Sequence, residues 1–403
     1  DTANPGDSLR IAYTTAFNTT TGKYDFDNSK YRLQYPIGSE QNPILISSAN
    51  DLENLLSATN TSEERSYRVK YENYYHYYYR DGETIKHQWG DFETDIPNTN
   101  GFEGKYFYII APSETIVLNN WDGIGTAEHP FKGHIRAGKY APDPTVTKNT
   151  PTPDDDPEPL PAGSHQNTII INGEHGLFAF CDGATIENIH VKGKITTDYG
   201  SEGTSFDGTG GICDHAVNTT FSHCSNACEI EISNEEVGAL YIGGVVGVAD
   251  NCRIDSCSNF GKITSKNEIF TVGGVVGIGV DAIINFCYNV ANISGMYYAG
   301  GIVGLGQRVK IDNCRNEGYV SAIGEGDSDG TYAGGILGFS YTSSSGNVDI
   351  ISSCLNMGTI AADNSAGIYY GNGNQMITYC MNMGYVHGYV VDYAITDNST
   401  RTN

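Results

Sequence analysis

A Cys-x-Asn motif recurs six times in the second half of the chain and constrains the fold more than any other feature. Each cysteine follows a glycine by 13 residues, except that 19 residues separate Gly335 from Cys354. A seventh unit keeps the spacing from Gly176, with Ile189 in the cysteine position. Self-similarity at this period predicts a solenoid, in which each unit buries its apolar face only by stacking on its neighbours. The six cysteines are Cys224, Cys257, Cys287, Cys314, Cys354 and Cys380.

Residues of alternating character follow each cysteine, and this alternation predicts strands. After Cys257, the apolar or small positions are Asn259, Gly261 and Ile263, with polar or exposed types between them. That period of two places one face inward and one outward. Ile254, three residues before the cysteine, breaks the alternation and predicts a bend. With a further strand over each Gly-Gly-Val-Val-Gly run, two or three short strands per turn predict an all-β, right-handed parallel β-helix.

One short helix is predicted near the start of the chain. Ser48 and Asp51 resemble a capping box, and Leu52, Leu55 and Leu56 share one helical face. A helix in this place would cover the open edge of the first coil.

The repeat pattern also divides the chain. We expect an N-terminal extension over 1–40, then the capping helix and irregular early coils over 41–170. The tyrosine-rich stretch 61–100 and the Pro- and acid-rich stretch 137–165 are predicted insertions. Regular β-helix repeats are expected over 171–395.

The ten cysteines allow a disulfide framework, since their number is even. Six of them share one inward column, however, and Ile189 replaces a cysteine there. We therefore predict free, buried thiols that pack as small hydrophobic side chains, in preference to disulfides or a zinc site. The inward asparagine two residues after each cysteine predicts a ladder of stacked amides.

Charge and hydropathy indicate which classes of binding partner are unfavourable. The net charge is −25 and the sequence pI is about 4.6, which argue against nucleic acid and anionic membranes. The sequence contains no run of 18 apolar residues, so we expect no membrane insertion of the mature chain.

The repeat as a whole resembles the GLUG-type repeat of bacterial surface proteins. The residues that carry the likeness are Gly-Gly-Val-Val-Gly followed by Ile-x-x-Cys-x-Asn-x-Gly-x-Ile, as at 243–247 and 254–263. The resemblance covers roughly residues 41–390. It implies a β-helix of adhesin-like proteins, located outside the cell or on its surface, with any lipid anchor in a segment outside this sequence. Such repeats also occur in IgA-specific metallopeptidases, but the His-Glu-x-x-His of those enzymes is absent here.

Catalytic signatures are weak in the sequence. Pectate lyases and polygalacturonases are β-helices, so a polysaccharide lyase or glycoside hydrolase is an alternative by fold analogy alone. Asp327 and Asp329 form a candidate Ca²⁺ loop, with a solvated turn as the simpler reading because further ligands are missing. We therefore predict a chain that is not an enzyme and needs no cofactor.

Aromatic residues give the stronger functional signal. Three tyrosines each precede the second glycine of their unit by three residues, and the length variation between repeats falls at the same edge. Aromatic platforms suit sugar rings, and tyrosine-rich loops suit proteins equally well. The predicted function is therefore binding of an extracellular glycan or a host or matrix protein. The alternatives are rings that only fill coil corners and a purely structural stalk. The candidate binding residues are Tyr241, Tyr298, Tyr332, Phe206, Phe270 and Tyr297.

Overall fold

The computed structural model describes most of the repeat region. Side chains are described for residues 44–60, 106–110, 115–137, 168–197, 208–232, 240–264, 271–322, 324, 330–340, 348–371 and 375–388, and the strands outside these ranges are described by their backbone.

One helix, Ala49–Asn60, precedes the stack. Its first turn is closed as the sequence predicts: the backbone N–H of Asp51 donates to Ser48 Oγ at 3.3 Å, and that of Ser48 donates to Asp51 Oδ2 at 3.0 Å. Leu52 and Leu55 are buried in the main core, so the helix closes apolar surface of the first coil. At its other end, Asn60 Oδ1 accepts a 2.7 Å hydrogen bond from the Gly125 backbone.

Three long parallel sheets run along the stack. Sheet A takes one strand from every coil and has ten strands. They are Ile44–Ile46, Phe107–Ile110, His134–Ala137, Thr185–Glu187, Thr220–Ser222, Arg253–Asp255, Ile283–Asn285, Lys310–Asp312, Asp349–Ser352 and Gln375–Thr378.

Sheet B has six strands, and each of them directly precedes a strand of sheet A in the sequence. They are Phe178–Asp182, Cys213–Val217, Val246–Asp250, Val276–Val280, Val303–Gln307 and Leu337–Ser340.

Sheet C contains the Cys-x-Asn motifs and is the widest. Its early strands are Thr115–Trp121, Thr168–Gly173, His190–Thr197 and Ser225–Ile232. In later coils the corresponding segment is divided into two strands. The first strand contains the motif asparagine: Ser258–Asn259, Tyr288–Asn289, Arg315–Asn316, Leu355–Asn356 and Met381–Asn382. The second strand follows it in each coil: Ile263–Ser265, Ile293–Gly295, Val320–Ala322, Ile360–Ala366 and Val386–Tyr393. A third set, which we name the tyrosine ladder, consists of Asp207–Gly210, Leu240–Gly243, Thr271–Gly273, Tyr298–Gly300 and Tyr332–Gly334.

The remaining strands pair antiparallel. Arg10–Ala12 pairs with Arg32–Gln34, and Ala16–Asn18 pairs with Lys23–Asp25. In the stretch predicted as an insertion, Tyr67–Arg80 pairs with Glu83–Ile96.

The predicted all-β parallel β-helix with one short helix is confirmed, but the number of strands per turn is corrected. A regular coil has five short strands, as in 240–265, where two or three were expected. The Gly-Gly-Val-Val-Gly run, predicted as one strand, contains a corner: Leu240–Gly243 ends before Gly244 and Val246–Asp250 begins after Val245. The domain boundaries at 40 and 170 stay a prediction.

The bend predicted before each cysteine is present. The residue that precedes each of the six motif cysteines has a φ of 51–56°, in the left-handed region. This conformation ends the strand of sheet A and turns the chain into sheet C. The six residues are His223, Ser256, Phe286, Asn313, Ser353 and Tyr379.

The inward columns form the core. The isoleucine of each sheet A strand and the motif cysteine after it are buried from Ile254 to Cys354, each at most 1% exposed. The motif asparagines form the predicted ladder, since each Nδ2 donates to Oδ1 of the next asparagine at 2.7–2.9 Å. Each of these side-chain amides therefore hydrogen-bonds to the next coil as well as to the backbone of its own turn.

Candidate functional site

The tyrosine ladder places its candidate residues in one column. In register, Tyr241 pairs with Thr271, Thr271 with Tyr298, and Tyr298 with Tyr332. Asn364 continues the column after Tyr332. The parallel register therefore brings Tyr298 and Tyr332 next to each other, and Thr271 separates them from Tyr241.

Glycine corners hold the tyrosine ladder close to sheet B. A Cβ at Gly300 would overlap the carbonyl oxygen of Val303, and one at Gly334 would overlap that of Leu337. A Cβ at Gly304 would lie 2.7 Å from the Val272 carbonyl group, on the facing strand of the tyrosine ladder. Only glycine permits this backbone approach.

A second apolar cluster, separate from the main core, lies on sheet B. Val248, Ile278 and Leu305 occupy one register column and are only 2–6% exposed. Phe339 continues this column, and both Phe339 and Tyr241 pack against the cluster. We name this cluster the apolar floor.

Four half-buried rings beside the apolar floor form what we name the aromatic strip: Tyr298, Tyr332, Phe339 and Tyr370. The ring centroids of Tyr298 and Phe339 are 4.7 Å apart with planes at 28°, and those of Tyr298 and Tyr332 are 5.6 Å apart at 24°. Tyr332 lies 5.3 Å from both Phe339 and Tyr370 in tilted contacts. The strip therefore follows the axis of the stack.

This packing determines what the strip can offer a ligand. The centroids of Tyr298, Tyr332 and Phe339 form a triangle with sides of 4.7, 5.3 and 5.6 Å, so these three rings pack together as one cluster. Polar groups lie beside the rings: the Tyr370 hydroxyl donates to Asn364 Oδ1 at 3.3 Å, and Asp363 Oδ2 accepts from the Thr331 backbone at 3.1 Å. Rigid rings with neighbouring amide and carboxylate groups can make apolar contacts and hydrogen bonds at low entropic cost.

The predicted binding residues are only partly united by the structure. Tyr298 and Tyr332 are in the strip, whereas Tyr241 lies two rungs away on the apolar floor. Tyr297 is half-buried, and its carbonyl oxygen accepts from the Tyr332 backbone at 2.7 Å. The side chains of Phe206, Phe270, Asp327 and Asp329 lie outside the described residues.

Sequence reasoning missed Phe339 and Tyr370. A signal for Phe339 was present, because it shares its repeat position with Val248, Ile278 and Leu305. A column of apolar side chains on the outward face of sheet B indicates that another layer of the protein covers them. Tyr370 occupies the position of Gly304 and Gly338 in the earlier units, so the repeat did not predict an aromatic ring there.

A histidine–carboxylate pair joins two neighbouring coils. His175 Nδ1 lies 2.7 Å from Asp214 Oδ2, and Asp214 is buried, with Oδ1 accepting from the Gly176 and Gly210 backbones. Burial lowers the pKa of His175, but the hydrogen bond and charge of Asp214, with nearby Glu174 and Asp122, outweigh it and leave the pKa raised. The pair fixes the orientation of a partly exposed imidazole.

The outer face of sheet C is apolar in the later coils. Phe260 and Tyr319 are each 39% exposed and Met357 is 41% exposed. The Arg315 guanidinium lies over the Tyr288 ring, 5.7 Å from its centroid, and pairs with Glu317. Burial and Glu317 raise the pKa of Tyr288 to about 12. This face is a second exposed surface, separate from the aromatic strip.

Within the residues that the structure describes, no helix is long and apolar enough to cross a membrane. In the same residues, no three His, Cys, Asp or Glu side chains cluster as a metal site.

Two solved structures resemble the chain. The first is described as a "putative immunoglobulin A1 protease" from Bacteroides ovatus, with 15% identity and a TM-score of 0.42, over 89% of this chain and 86% of that one. The second is described as IgA1 Protease, with 15% identity and a TM-score of 0.40, over 80% of this chain and 25% of that one.

These names correct one expectation from the sequence. Both matched structures are described as proteases, which contradicts the prediction that the chain is not an enzyme. That prediction is withdrawn. An identity of 15% concerns the fold, so no activity is transferred with it.

No curated protein matches the sequence. Residues 238–264 match the family model described as the GLUG motif. They include the Gly244 corner, the inward Ile254 and the Cys257-x-Asn259 rung, which are the features that shape every regular coil. The resemblance seen in the sequence is confirmed for this repeat: the chain carries a GLUG motif within a parallel β-helix.

Proposed function

We propose that this chain is an extracellular or surface-located, adhesin-like recognition protein that binds a host or matrix protein through the aromatic strip. The observation that supports this best is the set of four half-buried rings: Tyr298, Tyr332 and Phe339 contact one another, Tyr370 contacts Tyr332, and Phe339 packs on the apolar floor. Tyrosines held in this way lose little freedom on binding, and aromatic residues are enriched at the centres of protein interfaces. The GLUG motif agrees with the same class of protein.

Glycan binding is a second candidate, centred on Tyr370. Its ring makes a tilted contact with that of Tyr332, with the centroids 5.3 Å apart. Its hydroxyl contacts the Asn364 amide, a group that hydrogen-bonds sugar hydroxyls. A tyrosine ring beside an amide combines apolar contact with hydrogen bonding, which is the combination that sugar recognition uses.

An array of purified matrix proteins and glycans tests the proposal. The parent chain should bind at least one member, and a triple variant of Tyr298→Ala, Tyr332→Ala and Tyr370→Ala should lose that binding. Truncating one hot-spot aromatic costs about 2 kcal/mol or more, roughly a 30-fold loss, so a weak interaction would disappear.

Tyr319→Ala is the matched control, because Tyr319 is an exposed tyrosine on the outer face of sheet C. It should bind like the parent. Melting curves of all variants show whether the stack is intact. A folded triple variant that binds as well as the parent would refute the strip as the site, and a loss confined to Tyr319→Ala would move the site to sheet C.

A further inference from the structure

The part of the chain that supplies most of the aromatic strip is acidic. Residues 316–400 contain eight Asp and Glu residues and no Lys or Arg, and residues 282–307, which include Tyr298, contain no charged residue. The other three rings of the strip belong to the acidic segment, so this side of the stack carries a negative potential that attracts cations. The eight acids are Glu317, Glu325, Asp327, Asp329, Asp349, Asp363, Asp392 and Asp397.

The basic residues that precede this segment are bound elsewhere or lie on another sheet. Arg308 donates to both carboxylate oxygens of Asp281, at 2.5 and 2.6 Å. Arg315 pairs with Glu317 on sheet C, and Lys310 is an exposed residue of sheet A. The charges of both arginines are therefore already balanced by a neighbouring carboxylate.

One carboxylate is held beside the strip. Asp363 directly precedes Asn364, which is in register with Tyr332 and accepts the 3.3 Å hydrogen bond from the Tyr370 hydroxyl. Asp363 Oδ2 accepts from the Thr331 backbone at 3.1 Å, and the Asp363 N–H donates to Thr331 Oγ1 at 2.7 Å. Asp363 is partly exposed and forms no ion pair with a described residue. A carboxylate, an amide and two tyrosine rings thus lie together.

Sheet C shows how such a set of groups accommodates an arginine. The Arg315 guanidinium lies over the Tyr288 ring, 5.7 Å from its centroid, and also pairs with Glu317. A planar guanidinium suits both partners, because it stacks on aromatic rings and donates in a fork to carboxylates. An ammonium group is a more strongly hydrated point charge and matches this combination less well. The aromatic strip and Asp363 supply the aromatic and acidic parts of the same arrangement.

We propose that the protein bound by the aromatic strip presents an arginine-rich, basic segment, whose guanidinium groups contact Tyr332 and Tyr370 and pair with Asp363. This inference rests on the proposed function and adds the chemistry of the partner. Opposite charge on the two surfaces accelerates their association, and the rings contribute cation–π attraction once they meet. Tyr298 and Phe339 offer apolar contact to the aliphatic part of an arginine side chain.

Fluorescence anisotropy with three labelled peptides of equal length tests the inference. The peptides alternate glycine with arginine, with lysine or with glutamate. The salt concentration is about 0.15 M, which screens exposed charges that are more than about 8 Å apart. The arginine peptide should bind about threefold or more tighter than the lysine peptide, although both carry the same charge. The glutamate peptide should not bind.

Two variants locate the binding. Asp363→Asn removes one charge and keeps an oxygen that can accept from Thr331, so the fold should be intact while the arginine peptide binds about threefold more weakly. The triple tyrosine variant described above should weaken it by about tenfold or more. Asp182→Asn is the matched control, because Asp182 also accepts one hydrogen bond, from Asn218, and its strand lies five coils from that of Phe339 in sheet B. It should bind like the parent.

The possible failures are distinguishable. An arginine peptide that does not bind at about 1 mM would overturn the inference. Equal affinity for the arginine and lysine peptides, or equal effects of Asp363→Asn and Asp182→Asn, would do the same. If the array yields a partner that the triple variant no longer binds, these results overturn the basic partner alone and the strip remains the site. A partner that the folded triple variant still binds refutes the strip itself.

Discussion

Asn289 shows how one side chain connects three coils. Its Nδ2 donates to the Ala291 carbonyl at 3.0 Å and to Asn316 Oδ1 at 2.8 Å, and its Oδ1 accepts from Asn259 Nδ2 at 2.9 Å and from the Ala291 N–H at 3.3 Å. All four bonds are buried. A buried polar group is tolerated only when it is satisfied in this way.

Asn289→Ala should therefore destabilise the stack strongly. It leaves the Ala291 backbone and the neighbouring amides without partners, at a cost of about 2–4 kcal/mol. Asn292→Ala is the control, because Asn292 is exposed and accepts a single bond from the Tyr319 backbone. Chemical denaturation of both variants measures the difference, and equal losses of stability would show that the ladder contributes nothing beyond the exposed bond.

The cysteine column makes a second prediction at this scale. Burial raises the pKa of Cys228 and Cys252 to about 12 and raises the pKa of Cys257 and Cys314 as well. In these four cysteines the reactive thiolate is therefore nearly absent at neutral pH. We expect a thiol reagent to modify few cysteines in the native protein and all ten in denaturant without reductant. Fewer than ten in denaturant would indicate disulfides.

At the scale of elements, the sequence predicted what depends on local periodicity. The capping box of Ser48 and Asp51, the bend before Cys257 and the inward Ile254 follow from spacing alone. The predicted number of strands per coil was wrong because a Gly-Gly pair in a sequence is compatible with a strand. In the structure, two backbones approach each other closely at this pair, and the chain turns there.

The aromatic strip was less predictable, because it depends on how two sheets face each other. Tyr298 and Tyr332 share a column and could be paired from the repeat. Their contact with Phe339 depends on the close approach of two strands at the glycine corner. The contact of Tyr332 with Tyr370 involves a position that is glycine in the earlier units.

The His175–Asp214 pair links adjacent coils and predicts a pH effect. The pKa of His175 is raised in the folded state, so its contribution to stability is complete below the unfolded pKa near 6.5 and is lost as pH rises through the folded pKa. His175→Gln should therefore reduce stability more at about pH 5.5 than at about pH 9. Melting temperatures at both pH values measure this difference.

The matched control is His223→Asn, at an exposed turn whose left-handed backbone asparagine tolerates. This variant removes a histidine without touching the His175–Asp214 pair. A His175→Gln variant with the same loss at both pH values would exclude a stabilising charge on His175.

The whole molecule is quasi-one-dimensional. Each coil contacts its neighbours through three parallel sheets, and the helix Ala49–Asn60 covers apolar surface at one end. In such stacks, stability is a sum of coil terms and nearest-neighbour terms, so damage to one coil weakens those beside it. The repeat holds the backbone fixed, while the side chains of the aromatic strip vary on its outside.

The central claim is the register that points Ile284 into the core and Ile283 outward, and two adjacent substitutions test it most directly. Ile284 is 0% exposed and Ile283 is partly exposed on the same strand. Ile284→Asp would bury an unpaired charge, at a cost of about 3–5 kcal/mol, and should lower the melting temperature sharply. Ile283→Asp should change it little. Equal shifts for the two variants, or a larger shift for Ile283→Asp, would contradict the register and with it the β-helix described here.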